Sequence, residues 1–230
     1  MPPKNPIHIS EIGLVTEIDD ALPDSEVPRR GADYEDWLKE ELRKERQKEL
    51  RDLVPEEFLE PIDWNDPGVD WKAFREVMGW DRKRGMTVRG ISQVGKTRAI
   101  YKALSSAYVE TGIEFIALDE MQIQSKIRDA SSGDKLNALG AKWKSAEVLF
   151  LDDVDKVNFS KGVTGHDALT LVFGVIKARM ANRRPTILSY NCELKDIFGV
   201  GGSHYASSIV ERVKQDQHWV RVLFKDLKMK

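Results

Sequence analysis

The sequence predicts an α/β fold of three layers, a parallel sheet of five strands with helices on both faces. Three observations predict it. From residue 86 onward, short apolar runs alternate with helical stretches, the rhythm that right-handed crossovers between parallel strands require. Val148-Leu149-Phe150-Leu151 is an unbroken apolar run, as in a strand covered on both faces. A third run, Met86–Arg89, enters a glycine-bounded turn that opens a helix.

Along the chain, residues 1–31 carry Pro2, Pro3, Pro6, Pro23 and Pro28 among scattered acids, and read as disordered. Residues 33–53 read as a helix with Asp33 as N-cap. Tyr34, Leu38 and Leu42 form a thin stripe on it, and Glu35–Lys39 and Glu40–Lys44 are i,i+4 pairs. Residues 1–53 are thus expected to form a partner-binding arm. Residues 54–85 are a connector rich in Pro and Trp, with a short helix near 70–78. Trp64, Trp71 and Trp80 are too costly to expose and should pack on the body.

Residues 86–230 form the main domain. Its helices are expected at 96–111, 119–129, 134–144, 167–181 and 203–215. Its strands are expected at 86–89, 113–118, 148–151, 185–189 and 219–224. The chain as read ends soon after Phe224, and no C-terminal helical lid is expected.

The 230 residues are 41% hydrophobic and 32% charged, with no apolar run long enough to span a bilayer and no secretory signal at the start. One cysteine, Cys192, excludes an internal disulfide and a Cys-rich zinc site, and a cytoplasmic protein is expected. His166, His204 and His218 lack ligand spacing. Residues 1–85 hold 14 Lys/Arg against 22 Asp/Glu, whereas residues 86–230 hold 22 against 16. An acidic arm therefore precedes a mildly basic body, a balance suited to a body that meets phosphates.

Gly90-Ile91-Ser92-Gln93-Val94-Gly95-Lys96-Thr97 fits the P-loop pattern G-x-x-x-x-G-K-[ST], with Arg98 directly behind it. Glycines let successive N–H groups turn inward onto phosphate oxygens, and the helix start adds its positive end. Lys96 would reach the β- and γ-phosphates of ATP, and the Thr97 hydroxyl would ligate Mg²⁺. The apolar strand at 148–151 ends in Asp152 and Asp153, at the sheet edge where the loop lies. Asp152 would hold Mg²⁺, mostly through water, and Asp153 would orient or deprotonate the attacking water. Both roles require loop and carboxylate to lie within about a dozen ångströms.

With these motifs in place, the chain from about residue 54 resembles the bacterial helicase-loader family of AAA+ ATPases (DnaC-like) and its transposition-helper relatives (IstB-like). Leu53–Phe58 resembles the family's lead-in, Arg84–Gly90 its first strand, and the stretches Ile113–Arg128 and Trp143–Asp153 the region ending in its LDD motif. Pro185–Asn191 resembles the sensor strand, which implies that Asn191 senses the γ-phosphate. Ser208–Arg212 resembles the segment carrying an arginine finger, which implies that Arg212 reaches a neighbouring subunit's nucleotide. Arg179 matches another basic position, read equally as a solvated helix charge. The family often has Glu or Asp where Asp153 stands, and the shorter Asp should hold water less closely.

The resemblance implies an ATP-switched loader in DNA replication. It would bind a replicative helicase through the arm and single-stranded DNA through the body, self-associate with ATP, and hydrolyse slowly. An IstB-like helper on double-stranded DNA with a transposase is the alternative. An ATP-binding interaction module without significant turnover is another. Trp64, Phe74 and Trp80 are the candidates to stack on adenine.

Overall fold

The computed structural model describes residues 32–66, 68–130, 132–157, 162–192, 213 and 219–225. The expected disorder at 1–31, the helix at 203–215 apart from Val213, and Arg212 lie outside these residues. Residues 1–49 and 50–230 group as two units.

In the first unit, α1 (Ala32–Leu53) begins one residue before the predicted start, so Asp33 sits in the first turn instead of capping it. Lys39 pairs with Asp36 at 3.1 Å and Lys44 with Glu41 at 2.7 Å, so both lysines turn to acids at i,i+3 and not i,i+4. The two spacings share a helix face, and on an exposed surface little separates them in energy.

The second unit opens with the last turn of α1, where Leu50 and Val54 are buried, and continues with α2 (Glu56–Leu59) and α3 (Trp71–Met78). Asp70 caps α3 by accepting from the N–H groups of Lys72 and Ala73. Its other carboxylate oxygen accepts from Lys225 N at 3.0 Å. Then follow β1 (Gly85–Arg89), α4 (Lys96–Thr111), β2 (Phe115–Leu118), α5 (Glu120–Asp129), α6 (Gly133–Ser145) and β3 (Val148–Leu151). The order ends with α7 (Gly162–Ala181), β4 (Thr186–Tyr190) and β5 (Trp219–Leu223).

A capping box between Asp119 and Gln122 starts α5, and Ser132 caps α6. Helix α7 starts five residues before the predicted 167, in a glycine-containing stretch that carries little helical signal of its own.

Among the described residues the sheet has five strands in the order β2-β3-β4-β1-β5, all parallel, as expected. Strand β4 lies between the strand that feeds the glycine loop and the strand that ends in Asp152. Side-chain alternation builds the three layers. Val148 and Phe150 join a core with Phe74, Ile100 and Leu104 from α3 and α4, whereas Leu149 and Leu151 join Ile123, Trp143 and Val172 from α5, α6 and α7. Trp80 is buried and its indole N–H donates to Arg84 O at 2.7 Å, while Trp64 packs on Trp71 and stays 56% exposed.

Arg179 is neither a solvated helix charge nor near the loop. It is fully buried, and its guanidinium donates to the carbonyls of Trp143, Lys144, Ala146, Glu147 and Pro185 and to the Thr186 hydroxyl. These carbonyls surround the entries to β3 and β4, at the opposite sheet edge from Asp152. Burial brings the guanidinium down to about 10, with Arg184 adding to the effect, so it stays charged at neutral pH.

Candidate functional site

Strand β1 delivers the chain to Gly90, where a side chain is sterically impossible. A Cβ there would stand 2.7 Å from the Phe224 Cβ and 2.8 Å from its carbonyl oxygen. The loop then turns through Gln93 at φ 65° and Gly95 at φ 90°, both left-handed. Gly95 is the N-cap of α4 and offers no side-chain acceptor, so the N–H groups of the first turn remain available to an anion.

Lys96 is buried behind this loop. Its ammonium donates to Gly90 O, Ile91 O and Asn191 Oδ1, each at 2.8 Å. Burial lowers its proton affinity, and the nearby carboxylates of Asp153, Asp152 and Asp155 only partly offset that. The Thr97 hydroxyl meets the Asp152 carboxylate at 2.9 Å and 3.2 Å, well inside the dozen ångströms required.

Asp152 is buried too, and burial raises its proton affinity against the hydrogen bonds from Ser189 and Thr97. Asp153 follows at φ 49° and accepts from Lys156 Nζ at 2.5 Å and from Asn191 Nδ2 at 3.3 Å. The Asn191 amide also donates to Asp155 at 3.1 Å. Asn191 therefore touches Lys96 with its oxygen and the acidic turn with its nitrogen.

These groups open onto a cleft of about 630 Å³. Ser92, Gln93, Gly95 and Arg98 line it together with Pro55, Glu57, Phe58 and Tyr101. Ile91 faces solvent and contributes its carbonyl, whereas Val94 is buried and holds the loop against the core. Phe58 stacks on Tyr101 with ring centroids 4.6 Å apart. The Tyr101 hydroxyl is pushed up to about 12 by burial and by Asp152.

Arg98 and Lys102 donate to the carbonyls of Leu59, Glu60 and Pro61, which ties the end of α2 to α4. Trp64, Phe74 and Trp80, the candidates for stacking on adenine, do not line the cleft. Phe74 and Trp80 are core residues and Trp64 packs on Trp71 and Phe74, so the aromatic wall is built from Phe58 and Tyr101 instead.

A nucleotide with Mg²⁺ fits the groups present. Thr97 and Asp152 are hard oxygen donors of the kind Mg²⁺ takes. Arg98 lines the cleft, and its buried Nε–H has no acceptor among the described residues. Those residues hold no cluster of three His, Cys, Asp or Glu side chains arranged as a metal cage. None of their helices is long and apolar enough to cross a membrane.

Ser189, Asp155 and Lys156 take part in this site without having been singled out from sequence. The signal for Ser189 was a hydroxyl at the end of the expected strand 185–189, two residues before Asn191. Asp155 and Lys156 follow Asp152 too closely in sequence to stand out from an ordinary polar turn.

No family model matches the chain, and no curated protein matches it. Solved structures do. The AMPPCP-bound DnaA from Aquifex aeolicus is 16% identical with a TM-score of 0.51, over 66% of this chain and 45% of that one. A DnaI structure is 20% identical with a TM-score of 0.50, over 74% of this chain and 90% of that one. A replication initiator DnaA bound to AMPPCP and single-stranded DNA is 18% identical with a TM-score of 0.50, over 66% and 44%. The chain spans less than half the length of these two DnaA chains. At such identities the likeness is one of fold, a parallel α/β sheet covered by helices that this chain shares with these structures.

Proposed function

We propose that the protein is a Mg²⁺-dependent, ATP-binding AAA+ ATPase that acts in DNA replication as a loader of the replicative helicase. The observation that carries the ATPase reading is the meeting of Thr97 with Asp152 at 2.9 Å beside Lys96, whose ammonium is 2.8 Å from Asn191. Three segments distant in sequence converge there on the chemistry of one phosphate.

In this reading the amides of Ile91–Thr97 wrap the phosphates. Lys96 exchanges the carbonyls of Gly90 and Ile91 for β- and γ-phosphate oxygens, which relieves a buried ammonium of poor partners. Thr97 and Asp152 hold Mg²⁺, which when bound neutralises charge developing on the phosphate oxygens. Asp153 accepts the proton of the attacking water, and Asn191 orients that water against the γ-phosphate. Lys156 occupies the Asp153 carboxylate in the present arrangement and must release it first, which favours slow turnover. Arg212 would complete the site of a neighbouring copy during ATP-dependent self-association.

The fold likeness to DnaI and to DnaA bound to single-stranded DNA supports a place in replication and a single-stranded DNA ligand for the body. Residues 1–53 are the arm proposed to hold the helicase, residues 54–85 the connector, and residues 86–230 the ATPase domain. Contact with DNA would be through its backbone and would weaken steeply with salt.

The test is ATP turnover by the full chain at rising protein concentration. Specific activity should climb as copies associate, and Arg212→Ala should abolish the climb while leaving ATP affinity intact. A fast monomer that is indifferent to Arg212→Ala refutes the switch. Co-purification with a transposase in place of a replicative helicase refutes the loader role and leaves the ATPase standing.

A further inference from the structure

Ser189 stands at the one place where the sensor strand touches both aspartates of the site. It lies in β4, next to β3 in the sheet, with no exposed surface. Its hydroxyl donates to Asp152 Oδ1 and accepts from Asp153 N at 2.9 Å, while its carbonyl accepts from Val154 N at 3.0 Å. Asp152 therefore has two hydroxyl neighbours on different elements, Thr97 from α4 and Ser189 from β4. Two residues on, Asn191 reaches Lys96.

Thr97 and Ser189 do different work. The Thr97 hydroxyl reaches both Asp152 oxygens and can offer a lone pair to Mg²⁺ while its O–H still donates, whereas Ser189 donates to Oδ1 alone from inside the sheet. Because Ser189 holds one oxygen only, it is the hydroxyl that fixes which Asp152 oxygen points into the cleft. The same hydroxyl anchors the amide of Asp153, a residue that sits at φ 49° and needs a partner to stay there.

We infer that Ser189 is a positioning residue that orients the Asp152 carboxylate for Mg²⁺ and holds the Asp153 turn in register with Asn191. This rests on the nucleotide reading above. Outer hydrogen bonds to metal-binding side chains change metal affinity by about 10- to 100-fold when removed. A loss of that size is expected here for the metal and not for the nucleotide alone.

The experiment titrates mant-ATP into the full-length wild type, Ser189→Ala and Ser189→Thr, first with EDTA and then across a Mg²⁺ series. Metal-free mant-ATP affinity should agree within about twofold across the three proteins. The Mg²⁺ concentration giving half-maximal enhancement should rise at least about tenfold in Ser189→Ala. Ser189→Thr, which keeps the hydroxyl, should return most of that loss.

A Mg²⁺ half-point in Ser189→Ala within twofold of wild type overturns the inference. So does an equal weakening of metal-free and Mg²⁺-supported binding, because that marks a merely structural serine. Wild type that fails to bind mant-ATP under either condition overturns the nucleotide reading, and this inference with it.

Discussion

Replacing Arg179 with methionine should be among the most damaging single changes to this fold, although it lies far from the cleft. The substitution keeps a long side chain for packing and removes the charge and its donors. Five carbonyls and one hydroxyl lose a partner, all at the entries to β3 and β4 or the end of α6. A hydrogen bond from a charged donor contributes roughly 1.5–3 kcal/mol, and a buried acceptor left alone costs about 1–3 kcal/mol. The six are not additive, because neighbouring carbonyls share one guanidinium and some will recruit water. Two or three of these acceptors left without a partner cost about 3–5 kcal/mol together, and that is the expected loss here.

Such a loss is a large share of the roughly 5–15 kcal/mol that holds a domain together. Urea unfolding should show it as a lower midpoint at unchanged slope, and hydrogen exchange should show faster amides in β3 and β4. Arg179→Lys should recover only part, since an ammonium has three donors for six acceptors. A midpoint for Arg179→Met within about 1 kcal/mol of wild type would refute the claim that this guanidinium ties the strand entries together.

Asp152→Asn should stabilise the ligand-free protein at neutral pH while abolishing Mg²⁺-supported nucleotide binding. The Asp152 proton affinity is raised in the fold above its ordinary 3.8, burial being the main cause. Its contribution to stability is therefore present below the unfolded value and lost as pH rises through the folded one. Urea midpoints from pH 4 to pH 8 check this, and the variant's advantage should shrink toward the acid end. Gly85→Ala places a Cβ 2.6 Å from Trp219 Cε2. It should cost about 1–3 kcal/mol by overpacking, read as a lower thermal midpoint.

The parts of the site legible in sequence were those whose chemistry demands particular residue types side by side. Gly90, Gly95, Lys96 and Thr97 form one contiguous pattern, and Asp152 follows a strand whose two-sided burial makes it wholly apolar. The same logic located the strands to within a residue or two. Sheet order was not legible, because nothing local says that β4 slides between β1 and β3. Yet that insertion is what brings Ser189 to Asp152 and Asn191 to Lys96.

Arg179 was misread for a related reason. A charge near a helix end is ordinarily solvated, and its burial depends on where the carbonyls of Ala146 and Pro185 come to lie. Trp64, Phe74 and Trp80 were the sequence's candidates for the cleft's aromatic wall. Phe58 and Tyr101 take the position because α2 packs along α4 and is fastened there by Arg98 and Lys102.

Calorimetric titration of ATP with Mg²⁺ into the wild type and into Lys96→Ala tests the central claim most directly. The wild type should bind one nucleotide per chain. Losing the charged contact from Lys96, worth roughly 1.5–3 kcal/mol, should weaken binding by about tenfold to a hundredfold. Equal affinity in the two proteins, or no heat from the wild type at millimolar nucleotide, would contradict the account.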